Sequence, residues 1–175
     1  MYPYLKLAST LIKAKFSSEL ALEDTSILKF RARFTDIDPF IVLNNARYFN
    51  YMELGRWDFS YRVGFLKLMR KNKWGVVVGG SSIRFRRKIP FLRTFTLTTQ
   101  LICHDGRWFY FLQDTSLNGR VCSSALMKIG VTSKSGLVHS TEVLKKIGRT
   151  DWGSEIPDWV NAWSKAESQR PWLKD

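Results

Sequence analysis

Thr35-Asp36-Ile37-Asp38-Pro39-Phe40-Ile41-Val42-Leu43-Asn44-Asn45-Ala46-Arg47-Tyr48 is the stretch on which the reading of this 175-residue chain turns. Two acids close a segment of alternating polarity. Four apolar residues follow, and an Asn pair then opens a long uninterrupted run. Asn44 reads as a helix N-cap, because its side-chain oxygen can accept an amide of the first turn. From Asn45 to about Lys71 there is no proline. Apolar residues such as Tyr48, Met52, Trp57 and Leu66 cover most of the cylinder rather than one stripe, which is the pattern of a helix wrapped by other structure. Gly64 is where a break or bend is expected. Asp38 therefore sits in a loop just before a helix N-terminus, where free amides and a partial positive charge collect. A carboxylate held across from such an end has the geometry to attack or hydrate a carbonyl. The same Asp38-Pro39 pair also reads as an Asp opening a turn before a proline. Both readings stand on the residues alone.

Upstream, Ile27 to Thr35 alternates, with Ile27, Lys29, Arg31 and Arg33 against Leu28, Phe30, Ala32 and Phe34, the pattern of a half-buried strand. Ser17 to Ser26 is polar and acidic and reads as a linker. Downstream, Val76 to Arg86 reads as a long strand with a bulge or bend at Gly79-Gly80. Phe95 to Leu101, Arg107 to Leu117 and Val121 to Thr132 follow as strands. They are joined by an Asp105-Gly106 turn and an Asn118-Gly119 hairpin signal, which makes an antiparallel meander. The sum is an α+β chain: one antiparallel sheet of about five strands and a single long buried helix inserted after the first. The tail is helical. Glu142 to Ile147 is a short turn or helix. Pro157, at a first helical position, introduces Trp159, Val160, Trp163 and Ala166 on one side. Trp152, Trp159, Trp163 and Trp172 fall in the last 24 residues, as expected of a helix that packs on its own domain; a partner or membrane contact is the sharper reading. Three segments result: a basic amphipathic extension and linker over 1–26, the sheet-and-helix domain over 27–136, and a helical extension over 137–175.

Composition agrees with one ordered domain: 45% of residues are hydrophobic and 14% aromatic. Cys103 and Cys122, with only His104 and His139 to help, lack metal-ligand spacing, so no metal or other cofactor is expected. Both cysteines read as reduced core residues of a cytoplasmic protein. The net charge of +13 is uneven: Phe59 to His104 holds ten basic residues and no acid. Such a patch attracts polyanions or is a solvated basic face. Nucleic acid is not the expected partner, because Phe85 and Phe91 alternate as core positions should and leave no aromatic platform among the cations. In the strand Ile83 to Ile89, Arg84, Arg86 and Lys88 share one face and Arg87 falls on the apolar side, so a bulge or a route to a sheet edge is expected there. No run approaches the length needed to cross a bilayer. Leu5, Leu7, Ala8, Leu11, Ile12 and Phe16, with Lys6, Lys13 and Lys15 between them, form a basic amphipathic helix. It reads as a membrane-surface element or as a helix laid on the domain.

Taken with Glu53 and Arg56, the quoted stretch resembles the D-x-D-x-x-G-H-V-N-N-x-x-Y…E-x-x-R signature of the 4-hydroxybenzoyl-CoA-thioesterase-like branch of the hotdog family. It matches at Asp36, Asp38, Asn44, Asn45, Tyr48, Glu53 and Arg56. It departs where the family has Gly and this chain has Ile41, and where the family has His and this chain has Val42. The Asn-Asn-Ala-Arg-Tyr string, the Arg86-Arg87 pair and the Trp-bearing tail are similar to the thioesterase superfamily member 6-like group, over about Phe30 to Arg170. The resemblance implies a hotdog fold and hydrolysis of an acyl-CoA or acyl-carrier-protein thioester. It makes Asp38 the nucleophile or general base and the Asn45 amide the group that polarises the carbonyl. Asp36 is then structural, and Asn44, Tyr48 and Glu53 help to shape the substrate site. Arg86 and Arg87 are candidates for the phosphates of CoA. A homodimer or dimer of dimers through sheet edges is expected. The alternative is a non-catalytic acyl-binding or membrane-associated hotdog protein, with Ile41 and Val42 marking the change. A hydratase is disfavoured, because it would need a His beside an acid at the helix entrance.

Overall fold

The structure is a computed structural model and describes residues 3–171. Residues 1–2 and Trp172 lie outside the described residues. The elements run α1 (Tyr4–Lys15), β1 (Thr25–Arg31), a short 3-10 turn (Phe34–Asp36), α2 (Asn45–Arg62), α3 (Phe65–Asn72), β2 (Gly75–Phe85), β3 (Thr94–His104), β4 (Phe109–Leu117), β5 (Arg120–Ser133), β6 (Gly136–Val138), α4 (Ser140–Lys146) and α5 (Asp158–Ser168). The strands form one sheet in the order β1-β3-β4-β5-β2, with β6 added to β5. Every pairing is antiparallel. The sequence pattern gives about five strands; β6 is the sixth, and three residues are too few to show a period.

One face of the curled sheet receives α2. Phe59 meets Phe111 edge-on at 5.6 Å between ring centres, and Tyr51 meets Phe95 the same way at 5.1 Å. Such pairs add about 0.5–1.5 kcal/mol each beyond the area they bury. Gly55 sets how close helix and sheet come, since a Cβ there would lie 2.8 Å from Leu97 and 3.1 Å from Gln113. Tyr48, Tyr51, Met52, Leu54, Asp58 and Phe59 are buried, whereas Phe49, Glu53, Arg56 and Trp57 are only partly so. The helix is thus not enclosed on every side within one chain. It stops at Arg62 rather than running to Lys71: Gly64 takes φ +83° and α3 starts afresh.

Several local expectations are corrected. The first strand spans Thr25–Arg31, not Ile27 to Thr35. Phe34 is 79% exposed in the 3-10 turn, because the Asp36 carboxylate takes the Arg33 amide at 3.1 Å and turns the chain off the sheet. The polar linker sends Leu22 into the main core and Leu20 against it. Residues past 136 join that same core, through Val138, Val143, Leu144 and Trp152.

The amphipathic N-terminal helix lies on α2 through Lys6, Leu7, Thr10 and Ala14, and leaves Leu5, Ile12 and Phe16 outward. No helix among the described residues is long and apolar enough to cross a membrane. The opposite face of the sheet carries α5. Val160 is buried against Cys103, Tyr110 and Leu126, and the Ser164 hydroxyl lies 3.0 Å from that of Tyr110. The contacting face is therefore Val160, Trp163, Ser164 and Glu167. Ala166 is exposed, and Trp159, though 51% exposed, borders a groove against the sheet with Trp163, Leu112 and Leu126. Trp108 covers the glycine pair of β2 and β5: a Cβ at Gly130 would lie 2.6 Å from its ring.

Candidate functional site

The quoted stretch folds into a tight loop. Ile37 bridges Leu43, and the Asp38 amide donates to the Val42 carbonyl at 3.0 Å. Asn44 caps α2 as expected, its carboxamide oxygen accepting the Ala46 amide at 2.9 Å. That leaves the amide of Asn45, the first residue of α2, among the donors a helix cannot satisfy internally. Asp38 sits across this loop, partly buried. Its Oδ1 accepts the Phe40 amide at 2.9 Å and, at the limit of 3.5 Å, that of Val42. Among the described residues, every hydrogen bond recorded to this carboxylate falls on Oδ1. Oδ1 therefore closes the turn.

Ile41, where the resembled family has Gly, takes φ +58°. This is the left-handed region, which a β-branched residue enters only at a cost of order 1–3 kcal/mol. The loop keeps the backbone shape that Gly would allow freely.

Asp36 is a structural acid. It is buried and accepts hydrogen bonds from Lys6 Nζ at 2.9 Å on both oxygens and from the Tyr51 hydroxyl at 2.7 Å. Burial works to raise its carboxyl, but the hydrogen bonds from Tyr51, Lys6 and the Arg33 amide outweigh it and hold the group below the ordinary carboxylate value. Burial, and then the Asp36 hydrogen bond, push the Tyr51 phenol up. Tyr48 is buried behind the loop, edge-on to Phe85 at 5.1 Å. Its phenol is pushed up first by burial and then by nearby Cys122 and Asp38, so it stays protonated at neutral pH.

Glu53 does not join this group within one chain. Eight residues past Asn45, it stands about 12 Å further along the helix, and Arg56 beside it donates to Gln113 Oε1 at 2.7 Å.

The chain leaves β2 through a bulge, as the misfit of Arg87 requires: the amides of Arg86 and Arg87 both donate to the Cys122 carbonyl, at 2.7 and 3.0 Å. The two arginines then part. Arg87 donates to the Val121 carbonyl at 2.9 Å and lines a pocket of about 490 Å³ with Lys88, Leu117, Asn118, Arg120 and Cys122. Arg86 is exposed outside that lining. Lys88 directly precedes Ile89, whose carbonyl accepts the Leu43 amide at 2.8 Å. The pocket thus opens beside the loop that carries Asp38. Lys88, Arg120 and Cys122 are the residues that sequence reasoning did not assign to a site. The Asn118-Gly119 hairpin was the available signal, since it sets Arg120 at the strand end facing the β2 exit. Cys122 is no thiolate: burial pushes it up, and the Leu117 backbone and Arg87 offset this only in part. Among the described residues no cluster of His, Cys, Asp or Glu could hold a metal ion.

Comparison with known proteins relates the chain to a family. The chain is 31% identical to Protein THEM6 of Drosophila melanogaster over 154 residues, covering 86% of this chain and 78% of that one. A probable thioesterase of Escherichia coli superposes with a TM-score of 0.65 at 23% identity, over 71% of this chain and 96% of its own. A Staphylococcus aureus protein solved in complex with CoA superposes with a TM-score of 0.64 at 12% identity, over 81% and 93%. At these identities the superpositions show a shared fold. Residues 32–164, from just after β1 through most of α5, match the model of the thioesterase-like superfamily, and the chain belongs to that family.

Proposed function

We propose that this chain hydrolyses an acyl-CoA thioester at the α2 N-terminus. The observation that carries the reading is the pairing of a half-free Asp38 carboxylate with a helix end whose first amide, that of Asn45, is unpaired within the helix. Asp38 takes a proton from water as the water oxygen attacks the thioester carbon. The carbonyl oxygen becomes an oxyanion against the Asn45 amide. The tetrahedral species then expels the CoA sulfur, which receives the proton from Asp38. One such donor at an oxyanion is worth about 3–4 kcal/mol of barrier. Attack by Asp38 itself, through an acyl-carboxylate anhydride that water later opens, uses the same two groups. Asn44 holds the helix end and Tyr48 borders the substrate, while Glu53, about 12 Å further along α2, would reach a substrate only from the second copy of a dimer. Arg87, with Lys88 and Arg120, offers phosphates a basic pocket, and Arg86 adds charge at its rim. That the Staphylococcus aureus neighbour was solved in complex with CoA supports acyl-CoA as the ligand class.

The working unit in this reading is a homodimer. β2 ends the sheet with one edge unpaired, and Val76, Val77 and Val78 on it are exposed. Pairing with the same strand of a second copy covers that edge, and sedimentation at micromolar concentration checks it. A second reading, an acyl-binding protein without turnover, is favoured by the strained Ile41 and by Val42 where the family has His. Thiol release from a panel of acyl-CoAs separates the two. Turnover supports the hydrolase; saturable binding without thiol release supports the binder.

A further inference from the structure

We infer that the end of the molecule around the α2 N-terminus is a docking face for an anionic lipid bilayer. Five large apolar side chains stand out there: Leu5 is 89% exposed, Phe40 82%, Phe34 79%, Ile41 60% and Leu92 47%. They come from separate segments that backbone bonds fasten into one surface. The Phe91 amide donates to the Ile41 carbonyl, and the Leu92 amide to that of Ala32, two residues before Phe34. Lys6, gripping Asp36, sets the start of α1 and hence Leu5 against the turn that holds Phe34. Two of the five, Ile41 and Leu92, adopt φ near +58°. Branched side chains tolerate that region poorly, so the fold holds apolar tips outward at some cost.

A basic collar surrounds the tips. Arg31, Arg33 and Arg93 are exposed beside them, and Leu5, Arg31 and Arg33 line a groove of about 520 Å³ between α1 and β1 that runs on to Lys13. The acids on this side are few: Asp36 is buried under Lys6, and Asp38 lies within the loop. The occupant must therefore be anionic and must also accept aliphatic and aromatic tips. A second copy would bring like charge against like. A nucleic acid would accept the two Phe rings by stacking but not Leu5, Ile41 and Leu92. A bilayer containing anionic lipid meets both demands: its surface potential draws the arginines, and its acyl boundary takes the tips.

The inference has a consequence that rests on the hydrolase reading. The substrate then belongs to the long-chain acyl thioesters that partition into membranes, and the acid product returns to the lipid from which the substrate came.

The test is co-sedimentation of the full chain with vesicles, in phosphatidylcholine alone and with about three parts in ten phosphatidylserine. We expect at least about tenfold more binding on the anionic vesicles, falling as salt rises. The double variant Phe34→Ser, Phe40→Ser should lose about tenfold or more. Arg33→Glu with Arg93→Glu should erase the preference for phosphatidylserine while the thermal transition stays in place. The inference is overturned if the wild type stays in the supernatant with anionic vesicles, or if both double variants bind as it does. It is equally overturned if the Phe variants change the sedimenting mass but not the lipid partition, for the face is then a subunit contact. Hydrolysis of a short, water-soluble acyl-CoA without vesicles is measured alongside. Binding without hydrolysis of this substrate or of a long-chain acyl-CoA sinks the hydrolase reading alone, and hydrolysis without binding sinks the docking face alone.

Discussion

Replacing Lys6 by Met should weaken the whole domain although Lys6 is far from the β-sheet core in sequence. Its Nζ lies 2.9 Å from both oxygens of Asp36 and 2.8 Å from the Tyr51 hydroxyl, while the Asp36 side chain is only 4% exposed. Met keeps the stem and removes the charge, leaving a buried carboxylate with the Tyr51 hydroxyl and the Arg33 amide. Hydrogen bonds to charged groups contribute about 1.5–3 kcal/mol. Breaking a fully buried pair costs about 3–5 kcal/mol. The Lys6 side chain is 27% exposed and two donors remain, so the lower range applies, and the loss should be about 2 kcal/mol. With a urea slope of about 2 kcal/mol per molar, the midpoint should fall by about 1 M at fixed protein concentration.

The pH dependence has a definite sign. The Asp36 carboxyl lies below its ordinary value of 3.8 in the folded chain. The unfolded chain therefore binds that proton more readily as pH falls. The stability from this group is complete above about pH 5 and is lost as pH drops through the folded value. Wild type and Lys6→Met should thus converge in acid and separate towards neutrality. A midpoint shift below about 0.3 M at pH 7, or a shift that stays the same down to pH 3, would refute the reasoning.

The other predictions are briefer. Asn44→Ala removes the cap on Ala46 and should cost about 1 kcal/mol, read from the same urea curves. Gly130→Ala drives a methyl into the Trp108 ring and should cost about 1–3 kcal/mol, with a change in tryptophan emission as that ring is displaced. Arg87→Gln with Lys88→Gln should raise KM for acyl-CoA with little change in kcat. The effect should shrink for a thioester that lacks the nucleotide, and salt should reproduce it in the wild type.

Much of the fold was legible because its signals are local. Asn44 advertises a cap, Gly64 a break and Asn118-Gly119 a turn, and each acts within a few residues of itself. The bulge at Gly79-Gly80 shows as a slipped register between Val78 and Gly80. What escaped depends on distant partners. Phe34 fits the alternation of a strand, yet Asp36 pulls the chain aside, and Asp36 in turn is held by Lys6 thirty residues earlier. Nothing local says that Trp108 will fill the room above Gly130. At the site, the Asp38 loop and the helix end could be read from spacing. The basic pocket could be read only in part: Arg86 and Arg87 are neighbours in sequence, but the bulge sends them apart, and Arg120 and Lys88 take the place beside Arg87. Ile41 shows the reverse case, a residue ill suited to the left-handed backbone shape it holds.

The most direct test of the central claim is kcat of Asp38→Asn against wild type on whichever acyl-CoA the wild type hydrolyses. Asn keeps an Oδ1 acceptor for the Phe40 amide, so the turn survives and the comparison reports on chemistry. The account predicts that kcat falls by about 10²-fold or more with acyl-CoA binding retained. Unchanged turnover in that variant would contradict it and remove Asp38 from the reaction.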